Sequence, residues 1–375
     1  MVLTRRDFCG ALALGSLYDV SPALAAKVTR ITDMAGRTVE LAAPPERIVL
    51  LEARDMVSMA MLHPSPSALV VGWAATDRID SPALQASLQK DRSIAVVGKQ
   101  TPDTISLEGL LALAPDLVVA NYFMLPRGAE DPMVQQLAAF GIPVVFSDTS
   151  SNIEKDNARR DSLEGLHEFV QMWASILDAR EKASELLTFI DKRLRQVAAC
   201  IDGAQPTTTY LEVLSSLEDC CWAAGDSIWG GLLRRAGGKI LPAITEAWYQ
   251  KLQLEYLIST PQDVYIASGG GWAGGGRPAI GPGLDASEGR KGLERLTRRS
   301  GFQILSSVRS GRVHGIWTGL ITVPELNILF VEAAAKWLHP ERCAEIDPAR
   351  TLAEMNRHFL SVPIQPDLWV SLKEH

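Results

Sequence analysis

Runs of apolar residues, alternating or continuous, divide the chain from Lys27 onward into short strands and helices. Val28 to Asp33 and Thr38 to Leu41, with Gly36-Arg37 between them, predict a hairpin. Ile48 to Leu51, Leu69 to Gly72, Ile94 to Gly98, Leu117 to Ala120 and Pro143 to Phe146 are apolar throughout and predict buried strands. Helical spacing over Met56 to Leu62 and Val134 to Phe140 alternates with them, which predicts a doubly wound α/β lobe over residues 27–150. Three-four spacing then runs from Leu163 to Leu177 and from Ala183 to Ile201, a helical segment over 151–202. Asp178 and Glu181 have the spacing of a helix cap, so the second helix (about 179–202) is expected to be roughly 36 Å long, enough to bridge two lobes. Residues 203–375 predict a second α/β lobe and tail. Its strands fall at Thr207 to Val213, Val264 to Ala267 and Gly311 to Trp317, and its helices at Ser227 to Ala236, Pro324 to Trp337 and Thr351 to Phe359, before an irregular end.

One pattern occurs in both halves. Leu107-Glu108 opens a short amphipathic stretch stopped by Pro115, followed by the strand Leu117 to Ala120; Leu254-Glu255 opens another, stopped by Pro261 and followed by Val264 to Ala267. A helix feeding a buried strand is half of a βαβ unit, so two distant copies predict two Rossmann-like lobes bridged by a single long helix, with a cleft between them.

Composition narrows the classes. Arg5-Arg6 with Phe8, the apolar stretch Cys9 to Leu17 and Ala23-Leu24-Ala25 read as an export signal over residues 1–26, of twin-arginine type, with an ordinary Sec signal as the alternative. No later run approaches the length of a membrane span, so no membrane insertion is expected after cleavage. A net charge of −7 without a basic or aromatic stripe argues against nucleic acid as a partner. Cys200, Cys220, Cys221 and Cys343 follow the signal; their pairing is open, although vicinal cysteines seldom bridge each other, and their spacing fits no zinc motif.

The sequence offers little for catalysis. Gly269 to Gly274 matches the dinucleotide fingerprint after a strand, but Pro278 and Gly281-Pro282-Gly283 break the helix that must hold the pyrophosphate. The segment reads instead as a cleft loop carrying Trp272 and Arg277, the latter able to pair an anionic ligand. Six histidines are scattered without HxxxH spacing, so no metal site is expected, and no Gly-x-Ser-x-Gly elbow appears. Trp73, Trp222, Trp272 and Trp317 fall at strand ends or loop openings, and Tyr122 follows Ala120-Asn121. In this fold class such positions face the ligand crevice, where aromatic faces suit a large ring-bearing ligand.

The segments Asp33 to Val39 and Pro44-Pro45-Glu46-Arg47-Ile48-Val49, both Leu-Glu…Pro copies and the long helix together resemble the periplasmic binding proteins of iron–siderophore and vitamin B12 ABC importers. The resemblance covers nearly all of the chain after the signal. It implies two lobes joined rigidly, a shallow cleft, a monomer without chemistry of its own, and delivery to an ABC permease dimer with its ATPase. It implies permease docking through one glutamate on each lobe, at the positions of Glu108 and Glu255. It implies ligand contacts near Tyr122, Trp222 and Trp248, as in the B12 binder. The ferric hydroxamate binder has an arginine after its Val-Gly pair, where Gln100 follows Val97-Gly98-Lys99 here. The B12 binder lacks the loop bearing Arg277, which favours a ferric siderophore of anionic character, with no cofactor and with iron held only inside the chelate. A cobalamin or haem carrier is the alternative, and a secreted α/β enzyme the reading from another class.

Overall fold

The computed structural model describes residues 28–148, 163, 165–217, 220–271 and 276–373; the export signal expected over 1–26 lies outside them. A hairpin of β1 (Thr29–Thr32) and β2 (Thr38–Leu41) leads into the first lobe. That lobe runs β3 (Ile48–Leu50), α1 (Asp55–Leu62), α2 (Pro66–Leu69), β4 (Val70–Ala74), α3 (Pro82–Leu88), β5 (Ala95–Gly98), α4 (Leu107–Ala112), β6 (Leu117–Ala120), α5 (Pro132–Ala139) and β7 (Val144–Phe146). Its strands are all parallel, in the order β5-β4-β3-β6-β7. The chain therefore winds outward from β3 in one direction and then returns to the other side, so the strand order reverses between β3 and β6. Alternation decides which face each residue serves. Val49, Val118 and Ala120 pack with Leu110 of α4 and Leu137 of α5, while Ile48, Leu50, Leu117 and Val119 join a larger apolar cluster on the other face.

Helices α6 (Leu166–Ile176) and α7 (Arg180–Ile201) follow. At 22 residues, α7 is about 33 Å long and bridges the lobes. Ala183, Leu186, Leu187, Ile190 and Val197 form its buried stripe. The expected cap at Asp178 is not made. Asp178 sits at φ 52°, in the left-handed region that ends α6, and α7 starts from Ala179 without a side-chain cap.

The second lobe continues with β8 (Thr207–Glu212), β9 (Trp222–Ala224), α8 (Ile228–Arg235), β10 (Gly238–Lys239), β11 (Tyr249–Lys251), α9 (Leu254–Ser259), β12 (Val264–Gly269), α10 (Ala286–Thr297), α11 (Ser306–Ser310), β13 (Val313–Trp317), α12 (Gly319–Thr322), α13 (Asn327–Leu338), α14 (Pro348–His358) and β14 (Trp369–Ser371). The sheet order is β11-β9-β8-β12-β13-β14, with β10 on β8. Its centre is parallel, but β9, β11 and β14 pair antiparallel to their neighbours. The tail that reads as irregular in sequence is thus an edge strand; three residues are too few to show a period. Cys200 at the end of α7 is bonded to Cys343 beyond α13, closing a separation of 143 residues. On the chain-entropy account, a loop of that size gives roughly 5 kcal/mol. Cys220 and Cys221 are bonded to each other just before β9, where the Leu252 amide donates to the Cys221 carbonyl and the Val213 amide to the Trp222 carbonyl.

The lobes share one apolar cluster, which runs from Ile31 to Val370. All eight residues of α1 are buried, and Ser58 on it donates to Glu325 Oε2 of the second lobe at 3.0 Å. Ser361 Oγ donates back to the carbonyls of Ala60 and His63 at 3.0 and 2.8 Å. Opening the lobes would expose this cluster, which opposes a hinge motion. Burial pushes the Glu325 carboxyl up to about 7, against the bond from Ser58, and burial likewise pushes Glu332 up to about 7, against Thr351 and Arg193. The folded protein therefore holds more protons than the unfolded chain between the ordinary value of 4.5 and about 7. This stabilisation is complete below that window and is lost as pH rises through it, by up to about 3 kcal/mol per group. Melting temperature is expected to fall between pH 5 and pH 8, and Glu325→Gln to flatten the slope. An unchanged slope in that variant would exonerate Glu325.

Candidate functional site

Strand-order reversal makes the carboxyl ends of β3 and β6 the place where a doubly wound sheet binds ligand. Glu52 follows β3 and Asn121 follows β6, and Asn121 Nδ2 donates to Glu52 Oε2 at 2.9 Å. Glu52 is buried, and two arginines close on it. Arg54 Nε and Nη2 donate to its two oxygens at 2.8 and 2.7 Å, and Arg78, beyond β4, donates from Nη1 at 3.0 Å. Burial alone would raise the Glu52 carboxyl; Arg54, helped by Arg78, outweighs it and holds the carboxyl below its ordinary value. Next to it, burial and the charge of Glu52 push Asp55 well above the usual carboxylate range, although Ser147 donates to it at 2.7 Å.

The arginines are not saturated by Glu52. Among the described residues, Arg54 Nη1 and Arg78 Nε and Nη2 have no hydrogen-bond partner, and both side chains retain partial exposure of 19% and 17%. The Arg78 guanidinium lies 5.0 Å from the centre of the Phe123 ring. The turn after β6 explains that ring's position. Asn121 Oδ1 accepts from the Met124 amide at 3.0 Å and Asp148 from the Tyr122 amide at 3.1 Å, leaving Tyr122 41% and Phe123 54% exposed. Two cations with spare donors on one carboxylate, Arg78 beside the exposed Phe123 ring, can hold a ligand that is both anionic and aromatic.

The second lobe contributes the carboxyl ends of β8 and β12. Leu214 is exposed just past β8, and Trp222 stands in register with that end on β9. Trp222 is half-buried, with Tyr249 edge-on at 5.6 Å and Lys251 Nζ 5.3 Å from its ring centre. Trp248 is exposed but precedes β11, set back from the rim by that strand's length.

Two expected ligand residues are buried, and a third, Arg277, is paired within the protein. Trp73 is fully buried within β4 and packs in the shared core, because strand alternation turns it toward the helices. Trp317 is 1% exposed, and its Nε1 donates across the lobes to the Asp80 carbonyl at 3.1 Å. Arg277 ties the lobes together through one nitrogen: Nη2 donates to Asp80 Oδ2, Gly269 O and Thr318 Oγ1 at 3.0, 2.8 and 2.7 Å, and its charge is paired with Asp80 across the lobes. Asp80 itself sits at φ 54° and also accepts the Gly271 amide at 2.9 Å, while a Cβ on Gly270 would collide with its carboxylate. Gly270, Gly271 and Arg277 therefore strap the second lobe to the first. A close backbone approach, not a phosphate, is what these glycines permit. Trp272 lies outside the described residues. Glu52, Arg54, Arg78 and Phe123 were not singled out from sequence. Glu52 and Asn121 do carry a signal, each being the first polar residue past a strand's carboxyl end.

Glu108 and Glu255 are exposed and each is the second residue of its helix, α4 and α9. Neither carboxylate has a partner among the described residues. Both helices begin where a strand ends, α4 after β5 and α9 after β11, so both glutamates stand on the crevice end of their lobes. No cluster of metal-ligating side chains occurs among the described residues, and no described helix is long and apolar enough to cross a membrane.

A comparison with curated protein sequences gave no match. Solved structures share the fold. The TroA-like periplasmic binding protein FepB from Veillonella parvula is 22% identical with a TM-score of 0.77, covering 92% of this chain and 100% of its own. The Haemophilus influenzae molybdate-binding protein MolA is 17% identical with a TM-score of 0.69, covering 90% and 99%. A protein of the Fe3+-hydroxamate transport system of Saccharomonospora viridis is 19% identical with a TM-score of 0.59, covering 83% and 98%. The periplasmic binding protein profile matches residues 59–316, more than half of the chain. This chain belongs to the periplasmic binding protein family, whose members bind solutes in the periplasm for ABC transporters.

Proposed function

We propose that this protein captures an anionic ferric siderophore in the crevice between its lobes and presents it to an ABC permease dimer with its ATPase. The observation that carries the reading is the pair Arg54 and Arg78, with N–H donors left over from Glu52, and the exposed ring of Phe123 beside Arg78, with Tyr122 next to it. Trp222 adds a half-buried ring from the opposite lobe. Iron stays inside the chelate and the protein adds no cofactor and no chemistry. Glu108 and Glu255 dock one to each permease subunit, the protein acts as a monomer, and residues 1–26 export it by the twin-arginine route. A relative in the hydroxamate transport system supports a ferric ligand, while the molybdate binder makes an oxyanion the reading to test against. Titration of the tryptophan fluorescence with a ferric tris-catecholate, a neutral ferric tris-hydroxamate, cobalamin, haem and molybdate decides between them. Tight binding of the anionic ferric chelate is expected; tight binding of cobalamin, haem or molybdate alone would overturn the reading.

A further inference from the structure

A second concavity, of about 660 Å³, opens on the second lobe away from the crevice. β13 separates the two. Arg312 and His314 stand at its amino-terminal end, while Trp317 reaches the crevice side about 13 Å further along. The volume is that of a small-molecule site.

Strand alternation builds the floor. His314 lies on one face of β13, with Arg312 just before the strand, and the antiparallel register sets Ser371 opposite His314 and Trp369 opposite Ile316. His314 is buried, stacked on Trp337 with centroids 4.4 Å apart and planes 7° apart, and shares a 2.8 Å hydrogen bond with Ser371 Oγ. Trp337 and Trp369, each half-buried, present ring surface to the groove.

The charge around those rings is mostly positive. Arg312 Nη2 donates to the Trp337 carbonyl at 2.7 Å and Lys336 Nζ to the Ile346 carbonyl at 3.1 Å. Neutral carbonyls accept the hydrogen bonds of both cations. Lys373 adds a third cation at the rim. The carboxylate in the lining, Asp347, is turned to its own helix, where Oδ1 accepts the Ala349 and Arg350 amides at 3.1 Å each. Burial holds Arg312 below its ordinary value, with Asp263 offsetting this in part. A planar apolar group and one negative charge would complete such a surface.

We propose that this groove is an accessory binding site for a small aromatic carboxylate, its ring against Trp337 and Trp369 and its charge toward Lys336, Lys373 and Arg312. The site is independent of the crevice and of what the crevice binds.

Benzoate and salicylate, with benzamide as the uncharged control, test the assignment by calorimetry on the exported form of the protein. Saturable binding with a Kd in the millimolar range or tighter is expected for the carboxylates, and binding at least about tenfold weaker for benzamide. Lys336→Gln with Lys373→Gln, and separately Trp369→Leu, should each weaken benzoate by at least about tenfold, while Arg78→Ala in the crevice leaves it unchanged. Absence of saturable binding, equal affinity for benzamide, or loss in Arg78→Ala would overturn the proposal; the benzamide comparison needs no variant to fold.

Discussion

Reversing both exposed charges, Glu108→Lys with Glu255→Lys, is expected to abolish uptake of the iron complex while leaving its affinity for the binding protein unchanged. Each glutamate is the second residue of a short helix, exposed and unpartnered among the described residues, on the crevice end of its lobe. Equivalent placement in two lobes suits a partner with two equivalent cationic sites. Replacing a carboxylate by an ammonium there turns attraction into like-charge repulsion, which costs several kcal/mol per site and slows encounter. Each single reversal should leave partial uptake. The cost to folding is small, since a cation near a helix N-terminus is unfavourable by only about 0.3–1 kcal/mol. The measurement is uptake of the radiolabelled complex in cells, set against ligand Kd and melting temperature of the same variants. If Kd worsens in step with uptake, the two glutamates face the ligand and the docking assignment falls.

The second large effect is expected from Arg78→Ala. Arg78 uses Nη1 on Glu52 and keeps Nε and Nη2 without protein partners among the described residues, beside the Phe123 ring. A hydrogen bond to a charged group contributes about 1.5–3 kcal/mol, so affinity for an anionic ferric tris-catecholate should fall roughly 10- to 150-fold. Glu52 keeps both bonds from Arg54 in this variant, so the fold is expected to survive. A neutral ferric tris-hydroxamate serves as the internal control and should lose much less. Equal losses for both chelates would mean that Arg78 shapes the crevice and does not read charge. Arg54→Ala is a poorer probe, because it leaves the buried Glu52 carboxylate with less compensation and mixes stability into the result.

Those two experiments rest on residues of unequal legibility. Glu108 and Glu255 were visible because a local pattern, helix, proline and strand, occurs twice, and local patterns survive in sequence. Tyr122 and Trp222 stand at strand ends with surface exposed, where the rule that such ends face the crevice puts them. The same rule misplaced Trp73 and Trp317, since a strand's last residues alternate faces and only the packed neighbours decide which face is core. Arg277 looked like a free cation in a glycine-rich loop. Its partner Asp80 is 197 residues away, beyond any sequence pattern. Arg54 and Arg78 were missed for a related reason: an arginine past a strand end is ordinary until Glu52 is found between two of them.

The sequence by itself determined what depends on neighbours along the chain: the apolar parallel strands, the long bridging helix, the two lobes and the paired glutamates. Period and punctuation encode these, and burial on both faces of a strand leaves few alternatives. Tertiary structure alone decided which polar groups meet. The Glu52 arginine clamp, the Asp80–Arg277 strap, the Ser58–Glu325 contact and the Cys200–Cys343 bond each join segments brought together only by folding. Hydrogen bonds and ion pairs act over a few ångströms in space, and the chain carries no local record of such a meeting.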